Sequence, residues 1–583
     1  MNVFFGSISH LFAAANKVHW IWCAVILLVM LILAVLHHVW KNDPKKLRIW
    51  RLLCFVPLII CVVHTCIYVI GAFDFFGDFM WIYIFMYIVG VFALLPMLFA
   101  KRRMGYRITA VLTGILSCLC GLFFCMYSPN CFNHSLESYT KSFHSLVQDM
   151  DKNYVLKEWK EIDFAALEAK YMPMIEETEN EQDPIKFSRA LKMFCNEMHD
   201  SHVGIGFMFD FNAYSTEPLI DDHDYGLAQI HDHGLAMIQL DNGDVIAVCT
   251  SPEVNAAGIE DGTVITKWDG KPILKAMAED LTDIGFPVKS NEDRIAALKL
   301  SCCGGETVEV SFKNKSGKEQ TVTLKEIEKY PTFREARSAF LHFLNDEEDI
   351  NFSTRMLDDK CGYLRLKAEA TDNWLQDSLG YMTGDHKWAK EMFREKLRDL
   401  KSQGMEYLVV DLRNNMGGSD DIGYALCDLL TDKEWYCQGL GVRKDGKYVS
   451  QCDQYIHGDG EFADLKVIAL TNYNCVSAGD GTSLLLSKLP NVTLAGITDP
   501  CGIDQEVGGV SILSGGLAFV SFPTGLVLNE NGEPNVDTAA DRISRNPVEV
   551  RIPLDYDAAM KIFRNKEDYE LDWAMKYIKN SAE

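Results

Sequence analysis

Four apolar runs near the start of the chain restrict what it can fold into: Trp20–Trp40, Leu52–Ala72, Phe79–Ala100 and Ile108–Tyr127. None contains Asp, Glu, Lys or Arg. Each is long enough to cross about 30 Å of hydrocarbon as a helix. Four transmembrane helices are therefore expected over residues 1–128. The first run is too long for a signal-peptide core and three more follow it, so it does not read as a cleaved leader. His64 lies inside the second run with no ionisable companion, and reads as a neutral, hydrogen-bonded side chain rather than a proton relay. The first connecting segment carries Lys41, Lys45, Lys46, Arg48 and Arg51, and the third carries Lys101, Arg102, Arg103 and Arg107. The second carries Asp74 and Asp78 and no base. The positive-inside rule then puts segments one and three in the cytoplasm. The N-terminus and everything after Tyr127 are expected on the extracytoplasmic side of a cell or inner membrane.

Charge divides at the same place. Residues 1–128 hold ten basic and three acidic side chains, whereas the remainder holds 46 basic and 78 acidic. Such an acidic remainder suits a soluble region and argues against nucleic acid, whose phosphates need a Lys/Arg-rich face. Eleven cysteines follow residue 128, an odd number with no metal-type CxxC pair. Mostly buried free thiols are expected, with at most one disulfide, and the vicinal Cys302–Cys303 pair is not expected to bridge. Sequons at Asn133, Asn314, Asn351 and Asn491 matter only in a host that glycosylates secreted proteins.

The rest of the chain changes period twice. Residues 136–200 repeat apolar positions at three- and four-residue steps, with Asp163 and Asp183–Pro184 as helix starts. From about residue 225, short alternating segments broken by Asn-Gly, Asp-Gly and Ser-Pro read as strands. From about residue 360, the buried strands CGYLRLKA, YLVVDLR, KVIALTN and VTLAGI are separated by amphipathic helices. That alternation predicts βαβ units and a largely parallel sheet. The fold expected is therefore multidomain: transmembrane helices over 1–128, a small helical layer over 129–215, a β domain over 216–330 and an α/β core over 331–583.

Chemistry is expected at the strand ends of that core. YLVVDLR runs into Asn414–Asn415–Met416–Gly417–Gly418, where two glycines permit close backbone approach. KVIALTN runs into Cys475–Val476–Ser477–Ala478–Gly479, which puts Ser477 at a strand-to-helix elbow. Such a serine is either a helix N-cap or an exposed nucleophile with N–H groups aimed at its Oγ. A serine hydroxyl needs a base within reach. Lys488 falls on the far side of the following helix and reads as a surface charge. His202, in Asp200–Ser201–His202–Val203–Gly204, is the better candidate, although it also reads as a loop histidine.

These segments together resemble the C-terminal-processing, or tail-specific, serine peptidases. MHDSHVGI resembles the family's Asp-x-His motif, and residues 225–330 its PDZ domain, with GLAMIQL as the carboxylate-binding strand. VVDLRNNMGG and TNYNCVSAGD resemble its glycine and nucleophile segments. The resemblance spans roughly residues 136–580 and implies a crotonase/Clp-protease-like α/β core with Ser477 as nucleophile. It departs at one place: the Ser–Lys members carry a lysine where Gly502 stands. It is therefore closest to the tricorn-core branch, which implies His202 as base, Ser201 beside it and a distant acid. Asp541, six residues before Pro547, fits the spacing of that acid; Asp537 and Glu533 are alternatives.

The function implied is a membrane-anchored serine endopeptidase acting on extracytoplasmic proteins or peptides. Gly417 and Ala478 would supply the oxyanion hole. No metal or other cofactor is expected, and the partners expected are a peptide substrate, membrane lipid and a second copy in a homo-oligomer. The PDZ-like region would add a peptide C-terminus as a strand, either to present substrate or to gate the site. The competing readings are a peptide-binding receptor of the same fold whose catalytic site has decayed, and a sensor coupled to the membrane helices.

Overall fold

The structure is a computed structural model. It describes parts of 28–53, and residues 131–207, 231–279, 287–327, 331–342, 351–377 and 387–580, less 135–136, 372, 374–375, 503, 517 and 538–540. Among the described residues, no helix is long and apolar enough to cross a membrane. The four expected spans fall almost wholly outside those residues: only part of Trp20–Trp40, and Leu52 and Leu53, are described. His64 lies outside them as well. The first connecting segment, expected as a loop, is helical over Pro44–Leu53. The Asp43 carboxylate caps it by accepting from the N–H groups of Lys45 and Lys46, at 3.0 and 3.2 Å.

The core is a six-stranded sheet in the order Val550–Arg551, Val492–Gly496, Lys466–Leu470, Tyr407–Asp411, Cys361–Leu366 and Phe352–Met356. All pairings are parallel except the last. Side chains alternate between faces, as the strand period requires. Leu408, Val410 and Leu412 pack with Leu364, Val467 and Ala469 under the helices Lys387–Ser402, Asp420–Leu430 and Ala478–Ser487. Val409, Ile468 and Ala495 face the other way, toward the β domain and the C-terminal helix Tyr569–Asn580. Burial on both faces explains why these strands read as continuous apolar runs. The parallel layout also places every strand-to-helix turn at one edge of the sheet, the edge where Gly417 and Ser477 sit.

The β domain is a six-stranded antiparallel sheet in the order Ala236–Gln239, Val245–Val248, Val264–Trp268, Thr307–Lys313 and Glu319–Lys325, with the short Lys271–Pro272 also paired to Val264–Trp268 and Lys289–Leu300 packed on the first strand. Ala236–Gln239 is thus an edge strand, and its Met237 N–H donates to Ser301 Oγ at 2.9 Å.

The helices Tyr139–Asn153, Phe164–Glu181 and Pro184–Asn196 stand where the periodicity puts them. Asp163 and Asp183 cap the second and third, and Pro184 occupies the first turn of the third. Their apolar faces cover a third sheet that the sequence reading missed. It contains Trp435–Lys444, Lys447–Ile456, Gln505–Ile512 and Ala518–Leu528, joined by Gly204–Phe207 and Cys131–Asn133. All ten described cysteines after residue 131 are free thiols, eight of them buried, so no disulfide forms among the described residues.

Candidate active site

Ser477 occupies the N-cap position of the helix Ala478–Ser487, but its side chain makes no capping bond. Its backbone sits at φ 56°, ψ −133°, a conformation that costs a β-carbon residue on the order of 1–3 kcal/mol and persists only where neighbours enforce it. The enforcing contacts are visible. Val476 N–H donates to Asn415 O at 2.9 Å, and Cys475 N–H to Asn472 O at 2.9 Å. Asn414 Nδ2 donates to Leu341 O at 2.6 Å, and Asn414 Oδ1 accepts from Asn472 and Asn474 at 3.1 and 3.2 Å. Three asparagines thus lace two strand ends together beneath the serine.

The glycine loop lies against this elbow. Gly417 has φ 78°, and a β-carbon there would meet Ser477 Cβ at 2.6 Å and Val476 O at 2.9 Å. Gly418 has φ 145°, and a β-carbon would meet Glu369 O at 2.3 Å. The Gly417 N–H, expected in the oxyanion hole, donates instead to Asn415 Oδ1 at 2.9 Å. Asn415 Nδ2 in turn donates to Glu369 Oε1 at 3.0 Å. The Ala478 N–H opens the helix and has no hydrogen-bond partner among the described residues. Glu369 is 1% exposed. Burial pushes its carboxyl up to about 8, against hydrogen bonding from Thr482 and Asn415. It is therefore a neutral acid at pH 7, bracing the glycine loop from below.

His202 arrives from the helical layer, on the loop before Gly204–Phe207. Among the described residues no hydrogen bond joins it to Ser477 Oγ. One ring nitrogen has a partner on the third sheet. His202 Nδ1 bonds Gln505 Oε1 at 2.8 Å, and Gln505 opens the strand Gln505–Ile512 of the third sheet. Asp200 Oδ1 accepts from His202 N–H at 2.9 Å, and Asp200 Oδ2 accepts from Tyr154 OH at 2.8 Å. Burial lowers the imidazole pKa, opposed by Asp200 and by the Gln505 bond.

Ser201 does not bond the imidazole either. Its Oγ lies 3.4 Å from Cys501 Sγ, and Cys501 N–H donates to Cys475 O at 3.0 Å. This chain of contacts ties the histidine loop to the segment just before Ser477. Asp541 is exposed, paired with Arg545 at 2.9 Å and accepting from Ile543 N–H. Glu533 is exposed. Asp537, the other alternative, is 1% exposed and bonds Lys160 Nζ at 3.0 Å, while Lys160 also donates to His199 O at 2.7 Å. Burial raises the Asp537 carboxyl to about 6 despite the lysine. Asp537 also acts electrostatically on Cys501, the partner of Ser201. Gln505 was not singled out in the sequence, because its role depends on the third sheet. The hairpin signal Lys444–Asp445–Gly446–Lys447 was the one cue to that sheet.

Among the described residues, no group of His, Cys, Asp and Glu is arranged to hold a metal ion. Residues 360–538 match the model of peptidase family S41, a stretch that includes the glycine loop, Ser477, Gln505 and Asp537. No curated protein sequence matches the chain. Its structure is similar to that of mature CPAF, at 15% identity over 76% of this chain and 98% of that one, with a TM-score of 0.50. It is also similar to the tricorn protease, at 15% identity over 77% and 37% with a TM-score of 0.33. A putative peptidase from Parabacteroides merdae matches at 14% identity over 76% and 97%, with a TM-score of 0.40. The likeness to CPAF shows a shared fold, an S41-protease-like α/β architecture with several sheets. The family match supports serine peptidase activity in the region that carries the Ser477 elbow.

Proposed function

We propose that the chain is a serine endopeptidase in which Ser477 attacks the peptide carbonyl and His202 takes its proton. Support comes chiefly from the strained elbow at Ser477, enforced from two strand ends and pressed against Gly417. A merely structural serine has no need of that conformation. The Ala478 N–H stands ready for the developing oxyanion; Gly417 N–H joins it once released by Asn415. The buried Asp537, an alternative to Asp541, is the candidate for the distant acid; its carboxylate pairs with Lys160. Gln505 holds the imidazole through Nδ1, which leaves Nε2 to act as the base. General-base transfer contributes about 10²–10⁴-fold, and one oxyanion donor about 10²–10³. With purified full-length chain, Ser477→Ala is expected to abolish cleavage of an unfolded protein substrate while leaving the melting temperature in place. Cleavage at the original rate would contradict the assignment.

The proposal extends to location and selection. In this proposal residues 1–128 anchor the chain and hold the catalytic region outside the cytoplasm; externally added protease should then digest that region in cells whose inner membrane is intact, and protection would contradict it. The β domain is read as PDZ-like and takes peptide C-termini by strand addition at Ala236–Gln239. Addition there has to displace Ser301 Oγ from Met237 N–H.

One observation favours the second reading, a catalytically decayed peptide-binding receptor: the missing Ser477–His202 hydrogen bond. A fluorophosphonate probe separates the two, because only an activated serine is phosphonylated.

A further inference from the structure

The described partners of the histidine loop leave one candidate for fixing the imidazole. The Asp200 carboxylate accepts from His202 N–H and from Tyr154 OH rather than from the ring. Ser201 faces Cys501, and Asp537 faces Lys160. No carboxylate hydrogen-bonds the His202 ring among the described residues. Gln505 does, through its amide oxygen at 2.8 Å.

An amide oxygen can only accept. The hydrogen bond therefore requires the proton on Nδ1 and leaves the lone pair on Nε2, where a base is useful. The reversed amide would donate to Nδ1, move the proton to Nε2 and abolish that base. Gln505 is 5% exposed, so its amide sits in a packed site, and in the present orientation its Nε2 is buried with no hydrogen-bond partner among the described residues. Its backbone is held as well. Gln505 pairs with Leu526 at the start of its strand, and Gly502 N–H, just upstream, is anchored by Asp480 Oδ2 at 2.6 Å.

From this geometry we infer that Gln505 is a positioning residue that sets the tautomer of His202, a task more often given to a carboxylate. The inference rests on the Ser477–His202 reading for its catalytic meaning. A neutral amide orients the ring without offering a counter-charge to the imidazolium. The charged group acting on His202 is then Asp200 of its own loop. From the neighbouring loop come the Cys501 thiol, facing Ser201, and Asp504, adjacent to Gln505 in the chain.

The test uses full-length chain labelled with ¹⁵N-histidine, with His202→Ala to assign the resonance, alongside the saturation rate and half-saturation concentration of a fluorophosphonate probe. Wild-type His202 is expected as the Nδ1–H tautomer. Gln505→Leu is expected to lose that tautomer and to slow phosphonylation by about 10²-fold, with half-saturation unchanged. Gln505→Glu is expected to recover most of the rate and move the ascending pH limb upward by about one unit, because a carboxylate favours the charged ring. A wild-type Nε2–H tautomer, or a Gln505→Leu variant that reacts at the original rate with the original pH limb, would overturn the inference. If Ser477 fails to react in the wild type while Gln505→Leu still changes the tautomer, the catalytic reading falls and the orienting role of Gln505 stands.

Discussion

At the scale of single residues, the elbow and the glycine loop exclude each other's side chains. Gly417→Ala would set a methyl 2.6 Å from Ser477 Cβ at a φ of 78°, so one of the two segments has to move. A loss of probe reactivity of about 10²-fold or more is expected, with a cost of about 1–3 kcal/mol in stability; a Gly417→Ala chain that reacts normally would show that the two segments are not coupled. Glu369 makes a separate prediction through pH. Its folded pKa, about 8, lies above the roughly 4.3 of an unfolded glutamate. Between those values the unfolded state has released a proton that the folded state keeps. This group's contribution therefore falls as pH rises from about 4 to about 8, by at most about 1.4 kcal/mol per pH unit. Thermal melts from pH 5 to 9 should show that slope in the wild type and its loss in Glu369→Gln. The same slope in both would mean that Glu369 is ionised in the fold. Ser477 was legible in the sequence because small residues after a buried strand mark an elbow. Its strained φ was not, since the strain comes from Asn415 and Gly417, 60 or more positions earlier in the chain.

At the scale of elements, local signals served wherever local physics decides. Asp163 and Asp183 cap helices because an aspartate oxygen reaches the N–H groups two or three residues on. The parallel strands declared themselves as apolar runs because both faces are buried. The third sheet was missed for the opposite reason. Lys447–Ile456 is largely exposed, and Gln505–Ile512 contains two glycines and three polar residues, so neither has an apolar run to read. Only pairing with Trp435–Lys444 and Ala518–Leu528 makes them strands. Since that sheet delivers Gln505, the partner of His202 was invisible for the same reason. Val410, fully buried between the Tyr407–Asp411 strand and the covering helices, offers a test of the core: Val410→Ala should cost about 1–3 kcal/mol in a denaturant titration. A change below about 0.5 kcal/mol would contradict its placement.

At the scale of the whole molecule, the C-terminal helix is locked to the central sheet by a buried ion network. Arg413 donates to Asp411 at 2.7 and 3.0 Å and to Asp568 at 2.7 and 2.8 Å. Arg365 and Tyr363 add bonds to Asp411, and His342 pairs with Glu570. Burial would raise the Asp568 carboxyl, but Arg413 outweighs it and holds the pKa at about 2. An unfolded aspartate titrates near 3.9. The stabilisation is thus complete above about pH 4 and lost as pH falls toward 2, on the order of 2–3 kcal/mol. Asp568→Asn should be less stable than wild type at neutral pH, with the gap closing below about pH 3; a gap constant with pH would place the energy in packing instead. Nothing in the sequence linked Arg413 to Asp568, because the pair closes only when the last helix docks.

The central claim is that Ser477 is an activated nucleophile with His202 as its base. The most direct measurement treats full-length wild type, Ser477→Ala and His202→Ala with a fluorophosphonate probe and maps the adduct by mass spectrometry. The account predicts one adduct, on Ser477, absent in Ser477→Ala and slowed by about 10²-fold or more in His202→Ala. An unmodified Ser477 in folded wild type, or an adduct formed equally fast without His202, would contradict it.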